Sequence, residues 1–191
     1  FFFTELTTGL RRGEICGLRW EDFDEAEGTL KVNRSVSTRK AGSLEVGETK
    51  TNKGHRSISL PDSTAQRLRE RKKTAISDWI FPNPLHPEEA VNPGYAYNRM
   101  KTILKNTGLP SIRFHDLRHT FATHALAGGV DAKTLSGILG HTNASFTLDT
   151  YTHVTGDMQK QAANTVCDFM TELLGDEWKP WQENGRTAKE L

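Results

Sequence analysis

Cysteine is nearly absent: among 191 residues there are two, Cys16 and Cys167. They lie 151 positions apart in apolar stretches, and neither has the spacing of a metal ligand. Two buried, reduced thiols are therefore expected, which excludes a disulfide-stapled scaffold and suits a cytoplasmic protein. Long apolar runs are also lacking, so no transmembrane helix is expected. Phe1-Phe2-Phe3 has no basic flank and is too short for a signal-peptide core. The chain does not begin with Met, and it is expected to be a fragment that lacks an N-terminal portion. Net charge is only +1, which excludes a uniformly basic or acidic protein.

The small net charge hides an uneven distribution. Residues 31–73 carry 12 Lys and Arg against 4 Asp and Glu, a net of +8, while residues 1–30 and 131–191 each come to −4. A basic middle between acidic ends fits a phosphate-backbone footprint, although a solvated charged face would have the same count.

Hydrophobic content of 35% over this length is enough for one domain with a proper core. Residues 1–18 read as helix with Phe3, Leu6, Leu10 and Ile15 inward. Gly9 breaks it, so a second helix should start near Arg11. An acidic turn ends at Gly28. Residues 29–60 alternate polar and apolar at Thr29–Val32 and Arg56–Leu60, which predicts one antiparallel sheet of about three strands. Gly42, Gly47 and Gly54 mark turns between them. Helices follow at about 62–77 (cap Asp62 or Ser63), 95–107 (Tyr95, Tyr97, Met100, Ile103 and Leu104 inward), 114–127, 132–139 (cap Asp131, stop Gly140), 144–151 and 156–175. Four prolines make 82–94 a loop.

The chemistry concentrates in Arg113-Phe114-His115-Asp116-Leu117-Arg118-His119, followed by Leu139-Gly140-His141 and Tyr151. His115 and Arg118, at i and i+3, share a helix face and make a good anion site, because a guanidinium presents a rigid fork of donors. Thr8-Gly9-Leu10-Arg11-Arg12-Gly13-Glu14 adds an arginine at a helix N-terminus with a carboxylate three residues on. Lys50 and Lys53 lie in a hairpin run, residues 48–54. His115 and His119 at i and i+4 would suit two metal ligands, but no third has matching spacing and Arg118 opposes a cation.

In order and spacing these pieces resemble the catalytic domain of the tyrosine recombinases, the phage and transposon integrase group, over about residues 4–155. The resemblance implies an α+β fold, mostly helical with a small antiparallel sheet near the N-terminal side. It implies a catalytic domain over 1–175 and a tail at 176–191, with DNA-reading domains elsewhere. It implies Tyr151 as nucleophile on a DNA phosphodiester, forming a 3′-phosphotyrosyl link without metal, ATP or cofactor. Arg11 and Arg118 would clamp the phosphate, Lys50 would be the general acid with Lys53 as its rival, and His115 would move protons. His141 would hydrogen-bond the phosphate and Glu14 would orient Arg11. Arg34, Arg39, Lys40, Lys53 and Arg56 are the expected backbone contacts to double-stranded DNA, and Arg99 and Lys101 would approach base edges. Helix 156–175, with Ala162, Val166, Phe169, Met170 and Leu173 on one stripe, would dock on a neighbouring copy in a synaptic multimer. A mobile element is the expected host. The alternatives are a non-cutting DNA-binding module of the same fold and an enzyme that relaxes supercoils as type IB topoisomerases do.

Overall fold

The computed structural model describes residues 1–39, 43–48 and 55–141, together with residues 164, 166–169 and 172. The chain divides into two compact units, Phe1–Tyr151 and Thr152–Leu191.

In the first unit, the expected break at Gly9 separates helix α1 (Phe2–Thr8) from α2 (Arg12–Cys16). Gly9 takes the left-handed conformation at φ 61°, and a Cβ there would lie 2.3 Å from the Phe121 ring, so both backbone and packing demand glycine. A 3-10 turn at Trp20–Asp22 leads into β1 (Phe23–Asp24) and β2 (Thr29–Val32).

The single sheet expected over 29–60 is instead two. One is three-stranded and antiparallel in the order β1-β2-β5, with β5 at Arg56–Ser59. The other is a ribbon of β3 (Arg34–Thr38) and β4 (Leu44–Glu48). In the first, Leu30 pairs with both Phe23 and Ile58, and all three are buried. In the ribbon Val36 opposes Val46, of which only Val36 is buried. Gly47 is a strand residue opposite Ser35, not a turn marker.

Helix α3 (Asp62–Lys72) starts after an N-cap Pro61, so neither Asp62 nor Ser63 is the cap. It stops short of Ser77 because the chain turns to lay residues 78–80 beside residues 18–20: Trp20 N–H donates to Asp78 O at 2.9 Å and Ile80 N–H to Leu18 O at 3.0 Å. Helix α4 spans Pro93–Asn106, with the Asn92 side chain accepting from Gly94 N–H. Helices α5 (Phe114–Ala127) and α6 (Ala132–Leu139) match their expected bounds, and Asp131 caps α6 through the Lys133 and Thr134 amides.

Two helix faces depart from expectation. In α1, Phe3 and Leu6 are exposed, and Thr4, Glu5 and Thr8 are buried where the helix packs on α5. Within that stripe Thr8 Oγ1 donates to Thr4 O at 2.6 Å. In α4 the buried stripe is Pro93, Ala96 and Met100, which leaves Tyr95 and Ile103 exposed while Tyr97 and Leu104 pack at the core's edge. Leu10, Ile15, Leu18, Leu30 and Ile80 are completely or almost completely inaccessible at the centre. This is the α+β architecture read from the sequence.

In the second unit, residues 164, 166–169 and 172 are helical and exposed. Cys16 is buried as expected, whereas Cys167 is exposed, against expectation. The remainder of the proposed helix 156–175, and all of 144–151, lie outside the described residues. Among the described residues, no helix is long and apolar enough to cross a membrane.

Candidate active site

Arg11 is the N-cap of α2, with extended backbone. Its own N–H donates to Glu14 Oε2 at 2.9 Å, and its guanidinium Nη1 donates to Glu14 Oε1 at 2.8 Å. One carboxylate thus holds both ends of Arg11. The side chain of Arg11 is 42% exposed, while that of Glu14 is 3% exposed. One face of Arg11 is fixed and the other is open.

Arg118, on α5, is buried. Nη1 donates to Gly9 O at 2.7 Å, and Nη2 donates to Leu139 O at 2.7 Å and to His141 Nε2 at 2.9 Å. The glycine that ends α1 and the last residue of α6 are therefore tied through one guanidinium. Burial, then the charge of Arg11, pulls the Arg118 pKa down to about 10, so it stays cationic at neutral pH.

The C-terminus of α6 organises the site. Its final carbonyls have no partners within the helix and carry the negative end of the dipole. Three consecutive ones are taken by three arginines. Arg56 Nε donates to Ile138 O at 2.6 Å, Arg118 Nη2 to Leu139 O, and Arg11 Nη2 to Gly140 O at 2.9 Å. Gly140 closes the helix in the left-handed conformation at φ 65°, and a Cβ there would stand 2.9 Å from the Arg56 guanidinium. The Leu139-Gly140-His141 sequence is explained by this: it ends the helix, exposes carbonyls to arginine and delivers a histidine.

His141 is pushed down to about 4, first by burial and then by Arg118, Arg11 and Arg56. It is therefore neutral at physiological pH. An arginine only donates, so Nε2 accepts and the ring proton lies on Nδ1. His115 is exposed, with its ring edge against His119 at a 4.7 Å centroid separation. Its pKa is lowered by partial burial, His119 and the surrounding arginines. A cleft of about 330 Å³ is lined by His115, Arg12, Tyr97, Arg113, Phe114 and Glu5. Among the described residues, no group of three or more His, Cys, Asp or Glu is arranged to hold a metal ion.

Glu5 is a feature that sequence reading missed. It is 1% exposed, its Oε2 has no hydrogen-bond partner among the described residues, and burial raises its pKa to about 8. A glutamate one turn before Gly9 carries no local signal of burial.

The expected DNA contacts fare unevenly. Arg56 does not present its charge outward: its side chain is 7% exposed, with Nη1 and Nη2 on Glu14 at 3.1 and 2.9 Å. Arg34 is turned to Asp22 at 2.5 Å and Glu21 at 2.6 Å. Arg56 with Glu14 and Arg34 with Asp22 are internal ion pairs where a backbone contact was expected, because these buried carboxylates lie within their reach. Arg39 is exposed and paired with Glu45. Arg99 is exposed, and Lys101 donates to Ser111 Oγ. Lys40, Lys50, Lys53 and Tyr151 lie outside the described residues.

Comparison with known proteins follows the same lines. The model of the phage integrase family matches residues 3–158. A XerC-like tyrosine recombinase from Caldanaerobacter subterraneus subsp. tengcongensis is 32% identical, covering 88% of this chain and 48% of the relative. The transposase of transposon Tn916 from Enterococcus faecalis is 31% identical, covering 80% of this chain and 41% of the relative. The Tn1549 transposon integrase in complex with circular intermediate DNA superposes with a TM-score of 0.70 at 26% identity, covering 86% of this chain and 58% of that one. The chain spans about half the length of the curated relatives it matches.

Proposed function

Because the chain belongs to the phage integrase family, we propose that it is the catalytic part, over residues 1–175, of a site-specific DNA recombinase that moves a mobile element. The observation that carries this reading is the convergence of Arg11, Arg118 and His141 on the end of α6. Two guanidiniums separated by 107 positions in sequence are fixed side by side on successive carbonyls, one half-open to an incoming anion.

The chemistry follows from that arrangement. The Tyr151 phenol attacks the scissile phosphorus. The phenolic O–P bond forms as the P–O5′ bond breaks, giving a 3′-phosphotyrosyl link and a free 5′-hydroxyl. Phenol has a pKa of about 10, so its proton must go to a base, and His115 is the imidazole for that step. Lys50 returns a proton to the leaving 5′-oxygen. Arg11 and Arg118 offset charge building on the non-bridging oxygens, which is worth roughly 10²–10³ in rate for one such donor. Neutral His141 donates from Nδ1. The link conserves the energy of the phosphodiester, so a second 5′-hydroxyl reverses the step without ATP. Charge neutralisation by arginine is what makes the reaction independent of metal. Double-stranded DNA is the partner, the helix over 156–175 joins copies into a synaptic multimer, and the protein works in the cytoplasm.

The test is a covalent trap. The full-length protein is incubated with a pool of nicked duplexes of randomised sequence, in EDTA and without nucleotide, then denatured. A protein–DNA adduct that Tyr151→Phe does not form is expected, and its DNA reveals the crossover site. DNA binding with no adduct across the pool would overturn the enzyme reading in favour of a non-cutting module. Relaxation of supercoiled plasmid with no strand exchange between sites would favour a topoisomerase.

A further inference from the structure

Arg56 lies outside the residues to which the resemblance gives a catalytic role, and its charge was expected on the DNA. It opens β5 opposite Val32, at the edge of the three-stranded sheet. From there it reaches both halves of the site. Its two terminal nitrogens grip the two oxygens of Glu14, the fork-to-fork pairing that fixes a carboxylate in plane and direction. Its Nε holds Ile138 O. Glu14 in turn uses the same two oxygens on Arg11. A carboxylate has about four lone-pair sites, and here four donors fill them.

We infer that Arg56 is a positioning residue for phosphate activation: it neutralises Glu14 so that Arg11 keeps its charge for the substrate, and it clamps the α6 end that carries His141. The electrostatic part is the sharper claim. A Glu14 paired with Arg11 alone would make a neutral couple with little field left for a phosphate. With Arg56 added, the triad has a net charge of +1, and the partly exposed member is Arg11. The geometric part concerns the last turn of α6. Without Arg56, Ile138 O loses its guanidinium, while the neighbouring carbonyls still bind Arg118 and Arg11.

This inference rests on the recombinase reading, and the experiment separates the two. Single-turnover cleavage by full-length protein is measured on the duplex recovered from the covalent trap, with either a normal scissile phosphate or a methylphosphonate there. The methylphosphonate lacks the negative oxygen that Arg11 would balance. Arg56→Gln should cleave the phosphodiester about 10–100-fold more slowly than wild type, somewhat less than the loss of a direct donor. On the methylphosphonate its deficit should shrink to within about threefold. Arg56→Lys retains the charge without the fork and should fall between the two; it also serves if the Gln variant does not fold. Wild-type rates on the phosphodiester would overturn the inference, and equal losses on both substrates would overturn its electrostatic part, since neither the α6 clamp nor general damage to the fold discriminates between them. If wild-type protein formed no adduct, the recombinase reading would fail and take the inference with it.

Discussion

Two residues carry testable charge states. Among the described residues Glu5 has no counter-ion in contact, and burial, with Arg118 opposing and Glu14 adding, raises its pKa from 4.5 to about 8. The folded protein therefore keeps a proton that the unfolded chain releases. Its stabilising contribution is complete below about pH 4.5 and is lost as pH rises through 8. Glu5→Gln preserves the shape and cannot ionise. Between pH 5 and pH 8 its stability should rise relative to wild type by on the order of 3 kcal/mol, read from urea unfolding at both pH values. Parallel pH dependences of the two proteins would mean that Glu5 is ionised and paired. His141 works in the opposite sense. Its folded pKa falls from 6.5 to about 4, so it favours the folded state above 6.5 and loses that contribution as pH falls through 4. Imidazole nitrogen resonances should show a neutral, Nδ1-protonated ring at pH 6; a titration midpoint near 6.5 would contradict the Arg118 contact.

At the scale of elements, local signals were legible and partner choice was not. Asp131 and Gly140 bracket α6 in the sequence because a cap and a left-handed stop act within a few residues. The buried faces of α1 and α4 are not legible in the sequence because several apolar positions compete, and the neighbour that each helix meets decides among them. The separate ribbon of β3 and β4 is not visible in the sequence, since alternation shows that strands exist, not which ones pair. Gly9 and Gly140 separate backbone cost from packing cost. Either glycine replaced by Ala meets a left-handed penalty of about 1–2 kcal/mol. In Gly9→Ala the new methyl also strikes the Phe121 ring in a packed interior, which should bring the total to about 3–5 kcal/mol. In Gly140→Ala it meets the Arg56 guanidinium, which is buried against Glu14. That variant should cost more than the backbone penalty of about 1–2 kcal/mol in urea unfolding and lose cleavage rate, because it displaces the guanidinium that holds Glu14. A Gly140→Ala protein with full activity would show that Arg56 can shift without consequence.

For the whole molecule, the net of +8 over residues 31–73 pointed to a phosphate-binding surface, but counting charges cannot see internal pairing. Arg56 meets Glu14 and Ile138 across sequence separations of 42 and 82, distances at which a chain gives no local cue. Arg34 is the instructive case. Asp22 is 2% exposed, and it accepts from Arg34 at 2.5 Å, from Asn33 at 3.1 Å and from Arg19 N–H at 2.8 Å. Removing Arg34 leaves a buried carboxylate without its cation, a loss of about 3–5 kcal/mol when one partner of such a pair is deleted. A phosphate contact behaves differently: each one lost lowers the slope of log affinity against log salt by about 0.9 and leaves stability nearly intact. Arg34→Ala should therefore unfold at markedly lower urea and, where folded, bind duplex DNA with an unchanged salt slope. Arg99→Ala and Lys101→Ala, at the positions expected to approach base edges, should leave stability nearly intact and narrow the difference in affinity between the crossover site and unrelated duplex. If Arg34→Ala instead flattened the salt dependence at full stability, the ion pair with Asp22 would open on DNA, and the basic middle of the chain would be the backbone footprint that its composition first suggested.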